Sequence, residues 1–373
     1  MPVSVSVYDN RRSRPKRPFG HGDGHGSDSW TTHPVASGIL IAMRAVILDG
    51  FGDESMLRVG DADPPLLTPD GVRIRVATAG INRADLLQRR GLYPPPDGAS
   101  PVLGLECAGT VVEVGDAVLH FRPGDRVMAL LTGGGYAEEV VAPAACLMPV
   151  PAGFSNEQAG AFPEAFVTAF LNLFTLGGLA PGRLALVHGG SGGVGTAAIQ
   201  LAAAAGAPAM VTAGSPERCR RCLALGAARA FDHRGVDLVA AVLEATAGRG
   251  VDLVLDCIGA RYLQAHLRLL AEDGRLVVIG LMGGSQAEID LRQLLSRRLS
   301  ILGSTLRSRP AEFKGRAIAT LLERFGTAIA GGTLAPVVDR VLPLEQVAEA
   351  HRLLAAGEIF GKLVLAVAPV NPG

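Results

Sequence analysis

The run His188-Gly189-Gly190-Ser191-Gly192-Gly193-Val194-Gly195 carries the densest chemical signal in the sequence. Gly190, Ser191, Gly192, Gly193, Val194 and Gly195 satisfy G-x-G-x-x-G between an apolar strand-like run, Leu184 to His188, and a helix-like run, Gly195 to Ala205. Glycines in this pattern permit a tight turn and let backbone N–H groups approach a pyrophosphate. The positive end of the following helix then faces the anion. The same residues also read G-x-S-x-G, the turn that presents a nucleophilic serine in α/β-hydrolases. That chemistry needs a carboxylate and then a histidine downstream, and Asp256 with His266 or His351 are the candidates. Both histidines fall in helix-like segments rather than in loops after strands. The turn also follows the first strand of its section, where a dinucleotide fold places it. A phosphate cradle is the expectation.

The end of the second strand selects the nucleotide. A site specific for NAD places Asp or Glu about 20 residues beyond the turn, on the ribose 2′-hydroxyl. Here the residues are Thr212-Ala213-Gly214-Ser215-Pro216-Glu217-Arg218. Gly214 and Ser215 leave room for a 2′-phosphate and Arg218 can meet it with charge-assisted hydrogen bonds, although an inward-pointing Glu217 would weaken the case. NADPH is the expected cofactor.

The elements around these residues change character along the chain. Residues 1–42 mix Arg/Lys/Pro with Gly/His/Asp/Ser and cannot build a core, so a disordered N-terminal extension is expected, with neither a transit peptide nor a secretion signal. From Met43 to about Glu164, short alternating runs with Gly/Pro punctuation read as an all-β section. A helix is expected from about Ala159 to Leu176. After Pro181-Gly182, the apolar runs 184–188, 210–213, 251–256, 275–280 and 299–302 alternate with helix-like segments. That rhythm predicts a parallel sheet covered on both faces. From Phe313 on, a long helix, a strand near Val337, a helix from Leu344 to Ala355 and a last strand Lys362 to Leu365 are expected.

Formal net charge is zero, which gives a nucleic-acid partner no electrostatic support. No apolar run reaches the length of a membrane span. Lys16, Lys314 and Lys362 are the only lysines, and the many arginines are scattered. The five cysteines are widely spaced and odd in number, which suits a reducing cytoplasm. Cys219 and Cys222 form a C-x-x-C pair without a second pair or a thioredoxin-like context. An incidental helical pair is the expectation, and a redox-sensitive thiol the alternative.

Several blocks in one order carry a family resemblance. They are Asn82-Arg83-Ala84-Asp85-Leu86, Gly91-Leu92-Tyr93-Pro94-Pro95-Pro96, Leu103-Gly104-Leu105-Glu106 and Phe162-Pro163-Glu164-Ala165. To these are added Ser191 to Gln200, Leu255-Asp256-Cys257-Ile258-Gly259, Gly280-Leu281-Met282-Gly283-Gly284 and Leu306-Arg307-Ser308-Arg309. From about Met43 to Val367 the chain resembles the medium-chain dehydrogenase/reductase superfamily, in its zinc-free NADPH quinone oxidoreductase branch of the tumour-suppressor-induced type. The resemblance implies an α/β protein whose Rossmann doubly wound parallel sheet is inserted in a mainly β, GroES-like catalytic domain. The implied division is 43–164 for the first part of the catalytic domain, 165–303 for the NADP-binding domain and 304–373 for the return segment.

Zinc-dependent relatives carry a cysteine where this chain has Asn82 and a histidine where it has Leu105. They also have a four-cysteine lobe whose region here, Leu130 to Tyr136, contains no cysteine. No metal is therefore expected. The resemblance places the nicotinamide near Asn82 and Thr168, with Leu281, Met282, Ser304, Thr305 and Leu306 along its ring. It places the adenosine phosphate near Gly214, Ser215 and Arg218, and brings in His233 and Lys362, either of which could instead be a solvated surface side chain. Tyr93 is the candidate for orienting or protonating the substrate, or it is a packing residue. Asp85 is expected to cap or orient its local helix. The implied reaction is hydride transfer to a quinone. An enone or enoyl reductase and a non-catalytic NADPH-binding redox sensor or structural protein are the alternatives, and a homodimer paired near Ser300 to Ser304 is implied.

Overall fold

The computed structural model describes residues 42–367. The expected N-terminal extension therefore lies outside the described residues except for Ala42. An antiparallel pair, β1 (Met43–Leu48) and β2 (Leu57–Ala62), comes first. Next are β3 (Gly71–Gly80), α1 (Arg83–Arg89), β4 (Glu106–Val114), β5 (Arg126–Leu130), β6 (Glu139–Pro143), β7 (Leu147–Pro149), α2 (Asn156–Gly160) and α3 (Pro163–Phe170). The alternating section runs β8 (Ala185–Val187), α4 (Gly193–Ala204), β9 (Ala209–Ala213), α5 (Pro216–Ala224), β10 (Arg229–Asp232), α6 (Leu238–Ala245) and β11 (Val251–Asp256). It continues through α7 (Leu263–Leu269), β12 (Leu270–Val278), α8 (Leu291–Ser296) and β13 (Ser300–Gly303). The chain then forms α9 (Ala311–Ala330), β14 (Val338–Pro343), α10 (Val347–Ala356) and β15 (Lys362–Ala366).

The six-stranded sheet has the order β10-β9-β8-β11-β12-β13, and its pairings are parallel. Strand order reverses between β8 and β11, and a doubly wound sheet opens its ligand crevice at such a switch point. Successive residues of these strands feed opposite faces. Val187, Val211, Leu253 and Leu255 pack into the core that holds α3 and α4, whereas Leu186, Met210, Val254 and Leu276 join the core beneath α6 and α7. Both faces are covered, which is why these strands read as nearly unbroken apolar runs.

The second sheet has seven strands, with β14-β15-β3-β4-β5-β7 in order and β6 paired to β3. Its last two members come from the far side of the parallel sheet in sequence, so the chain returns to the element from which it left. The Rossmann sheet thus sits within a mainly β unit, as the resemblance implies. No described helix is long and apolar enough to cross a membrane.

Three expectations need correction. The helix foreseen from Ala159 to Leu176 is interrupted, because Pro163 cannot continue a preceding helix and instead starts α3. Beyond α3 it continues as a π-helical stretch, Leu171–Leu176. Helix α4 begins at Gly193 rather than Gly195, so Gly193 and Val194 belong to its first turn. Strand β10 was not foreseen, because Arg-Ala-Phe-Asp has charged ends and one strong apolar residue.

Candidate active site

The Gly-rich turn joins β8 to α4, with Gly189 in the left-handed region (φ 69°) and Gly192 as the helix N-cap. A methyl group at Gly190 would lie 2.6 Å from Val211 Cβ, so the turn sits directly on β9. One at Gly193 would collide with the aliphatic stem of Lys362. The N–H of Gly361 donates to Ser191 O (2.8 Å), and Gly192 and Gly361 form an isolated bridge. The approach to β15 is therefore attached to the turn. The first N–H groups of α4 have no intrahelical acceptor, and the helix dipole favours an anion there.

At the end of β9, Gly214 is surrounded by an imidazole and two guanidinium groups. A methyl group added there would lie 3.6 Å from His233 Nε2, 3.7 Å from Arg218 Nη1 and 3.7 Å from Arg234 Nη2. Ser215 caps α5, its hydroxyl accepting the Arg218 N–H at 3.3 Å. The guanidinium of Arg218 also donates to Gly357 O. Gly214, Ser215, Arg218 and His233 thus come together as the sequence suggested. Arg234 belongs with them and was missed, since it follows the strand that the sequence did not reveal.

Lys362 is buried rather than solvated (3% exposed). Its ammonium donates to Asn82 Oδ1 (2.6 Å) and Ile81 O (2.7 Å) and pairs with Glu106 Oε1 (2.7 Å). Asn82 Nδ2 donates to the same Glu106 oxygen at 2.9 Å, and Glu106 Oε2 accepts the Glu164 N–H at 2.8 Å. Asn82 is also the N-cap of α1, where its N–H donates to Asp85 Oδ2 (2.8 Å). Asp85 takes a further bond from the Tyr136 hydroxyl (2.8 Å), so it anchors the helix start as expected. Burial pushes the Asp85 carboxyl up to about 6.

Arg307, in the segment after β13, donates to Thr132 O (2.8 Å), Tyr93 O (3.2 Å) and Gln88 Oε1 (2.7 Å). Its guanidinium carbon lies 5.4 Å from the Tyr93 ring centroid. Lys314, buried at the start of α9, donates to Thr132 Oγ1 (3.0 Å). Burial raises the Tyr93 phenol, so it keeps its proton. Thr168 Oγ1 is buried with no partner among the described residues. Leu281 and Met282 are exposed (56% and 55%), whereas Leu306 is packed into the core. Ser304 is fixed by its N–H to Val278 O (3.0 Å), and the Thr305 hydroxyl lies 3.3 Å from that of Ser308.

Residues 68–152 match the Alcohol dehydrogenase GroES-like domain family, and residues 193–323 match the Zinc-binding dehydrogenase family. Human quinone oxidoreductase is 33% identical over 326 residues, covering 87% of this chain and 97% of that protein. The chain belongs to the medium-chain dehydrogenase/reductase superfamily. It is also 34% identical over 336 residues to a phenolphthiocerol/phthiocerol polyketide synthase of Mycobacterium tuberculosis. That match covers 89% of this chain but spans only 15% of the length of the synthase polypeptide. A solved Escherichia coli quinone oxidoreductase complexed with NADPH superposes with a TM-score of 0.78 at 28% identity, covering 87% of this chain and 100% of that one. The chain is thus an oxidoreductase of this superfamily, and membership implies a nicotinamide cofactor and a small-molecule substrate.

The residues present fit that cofactor. The glycine turn lies close on β9 at Gly190, the first N–H groups of α4 suit a phosphate, and Thr168 Oγ1 has no partner among the described residues. Zinc, which one matched family name carries, fits poorly. Zinc prefers nitrogen and sulfur ligands. Here Leu105 is apolar and buried, and the polar hollow beside Asn82 and Glu106 already holds the Lys362 ammonium.

The hydrolase alternative also fails in this medium-chain reductase. Asp256 and His266 do meet (3.7 Å), but His266 Nε2 contacts His188 Nε2 at 2.8 Å, and no hydrogen bond joins a histidine to Ser191 among the described residues. His188 Nδ1 lies 3.1 Å from the Thr212 hydroxyl, which accepts the Gly189 N–H (3.3 Å). Burial drives both imidazoles toward the neutral form, His266 to about 4. His188 thus links the end of β8 to β9 through Thr212 and to α7 through His266. With metal–nitrogen bonds of about 2.0–2.1 Å, a tetrahedral ion would need those nitrogens further apart. Cys219 and Cys222 are buried and unpaired, and burial raises both thiols, Cys222 to about 11. Activated thiols shift the opposite way.

Proposed function

We propose that the protein is an NADPH-dependent, metal-free oxidoreductase that delivers hydride to a quinone. The observation that carries this reading is the Lys362 ammonium held between Asn82 and Glu106. With that hollow filled, no Lewis acid polarises the acceptor, so the acceptor must itself be electrophilic, as a quinone is. The relationship to quinone oxidoreductases supports the same choice.

In this reading the turn from Gly190 to Gly195 holds the pyrophosphate, and Gly214, Ser215, Arg218, His233 and Arg234 hold the 2′-phosphate. Asn82, Thr168, Leu281, Met282, Ser304, Thr305, Leu306 and Lys362 surround the nicotinamide. When bound, NADPH supplies the hydride. The chain's own residues position the acceptor against it and exclude water. Tyr93, steadied by Arg307, hydrogen-bonds the acceptor carbonyl.

The deciding assay follows oxidation of NADPH and of NADH with an ortho-quinone and an enone in parallel. Quinone turnover with NADPH is expected, and none with any quinone overturns the reading. The similarity to a polyketide synthase segment favours an enone or enoyl reductase as the second reading. Tyr93→Phe separates the two, with little loss expected on quinones and a large loss on enones, whose carbonyl depends more on the phenol.

Arg218→Ala and Arg234→Ala are each expected to raise the KM for NADPH by about tenfold or more, in line with loss of one charge-assisted hydrogen bond. Their KM for NADH should stay near the parent value, since NADH lacks the phosphate. We place the protein in the cytoplasm, which its five unpaired cysteines suit. A homodimer paired along β13 completes the reading, because that strand is a sheet edge beside the exposed Leu291, Leu295 and Ile301. Light scattering at micromolar protein should give twice the chain mass.

A further inference from the structure

We propose that the Glu164 carboxyl is the proton donor that completes reduction of the acceptor. The inference rests on the hydride-transfer reading above and deepens it.

Glu164 stands in the first turn of α3 and Thr168 four residues on, so the two side chains share one face of that helix. Thr168 Oγ1 is buried and finds no partner among the described residues, which leaves it available to a ligand on this face. Glu164 is itself half-buried, and no hydrogen bond to its carboxyl occurs among the described residues. Its backbone N–H is tied to Glu106, which fixes where the side chain departs.

Charged groups converge on it from five other segments of the chain. Burial raises the Glu164 carboxyl most, to about 8, followed by the Glu106 carboxylate from β4. Lys362 from β15 and Lys314 from α9 oppose the rise, while Asp85 from α1 adds to it. The charge of Glu164 is felt in turn by Tyr93 and by Arg307, the pair placed at the acceptor. A carboxyl in this setting keeps its proton at neutral pH. Acids with a pKa near the working pH are the most effective proton donors.

The step balances simply. Hydride carries two electrons from the reduced nicotinamide to the acceptor and leaves an anion there. The Glu164 O–H bond breaks, its proton passes to that anion, and the carboxylate recovers a proton from solvent. Reduction of a quinone by one hydride and one proton gives the hydroquinone.

The test combines kinetics with a signal that needs no turnover. With an ortho-quinone, wild-type kcat should fall about tenfold per pH unit above a pKa near 8, because the acid form is the active one. In Glu164→Gln that inflection should vanish, and kcat near pH 7 should drop by about 100-fold with little change in the Kd for NADPH. Glu164→Asp should keep the inflection at a reduced rate. A Gln variant that retains the inflection leaves Glu164 with a structural role only and overturns the proposal. Independently, infrared spectra of the protein without ligands should show a protonated carboxyl band near pH 7 that is lost above pH 8 and absent in the Gln variant. A Glu164 already ionised at pH 7 overturns the proposal whatever the rates. Absence of wild-type turnover on any quinone would sink the quinone reading alone, since the infrared titration still decides the state of Glu164.

Discussion

Gly195→Ala is expected to raise the Kd for NADPH by about 100-fold or more, while Gly326→Ala, in α9 and outside the turn, stays within a few-fold of the parent. A methyl group on Gly195 would run into the Gly189 carbonyl oxygen and lie 2.7 Å from Gly190 Cα. Both are backbone atoms, so no rotamer relieves the clash and the turn itself must open. Overpacking of this kind also costs about 1–3 kcal/mol of stability. A methyl group on Gly326 meets no atom within 4 Å, and a helix interior favours alanine over glycine. Titration of NADPH fluorescence, paired with thermal melts of both variants, separates the turn effect from general destabilisation. Equal affinities would show that the turn does not hold the pyrophosphate.

Lys362→Met is expected to cost about 3–5 kcal/mol, because it leaves a buried carboxylate without its counter-ion. Glu106 is fully buried, and its remaining partners are the Asn82 amide and the Glu164 N–H. Adding Glu106→Gln should recover most of that loss, since the second change removes the stranded charge. Urea unfolding of the two single variants and the double variant gives the coupling directly. Strict additivity would mean that the ion pair contributes nothing and that Lys362 acts through its packing and its bonds to Ile81 and Asn82.

Much of this arrangement is legible in the sequence. Continuous apolar runs such as Val251 to Asp256 announce a parallel strand, because burial on both faces leaves no polar alternation to confuse it. The glycine turn declares itself through spacing. Arg234 does not, because it follows a strand too short and too charged to stand out, and only the pairing of β10 with β9 carries it to Gly214. Glu164 lies in a matched block, yet nothing local says that Glu106, 58 positions away, shares its surroundings. His188 and His266 are similar. Each is visible alone, and their contact across 78 positions is a product of the fold. The break at Pro163 is readable, since proline both ends a helix before it and favours the first position of the next.

The attachment of Gly361 and Lys362 has a kinetic consequence. Lys362 reaches Ile81 and Asn82 across 281 and 280 positions of the chain, and Gly361 holds the turn at Ser191. Contacts of such sequence separation tend to form late, after local helices and adjacent strands are in place. The nucleotide cradle is therefore expected to be completed late in folding. NADPH should then slow unfolding while leaving the refolding rate unchanged, protecting the protein as a latch does rather than as a template.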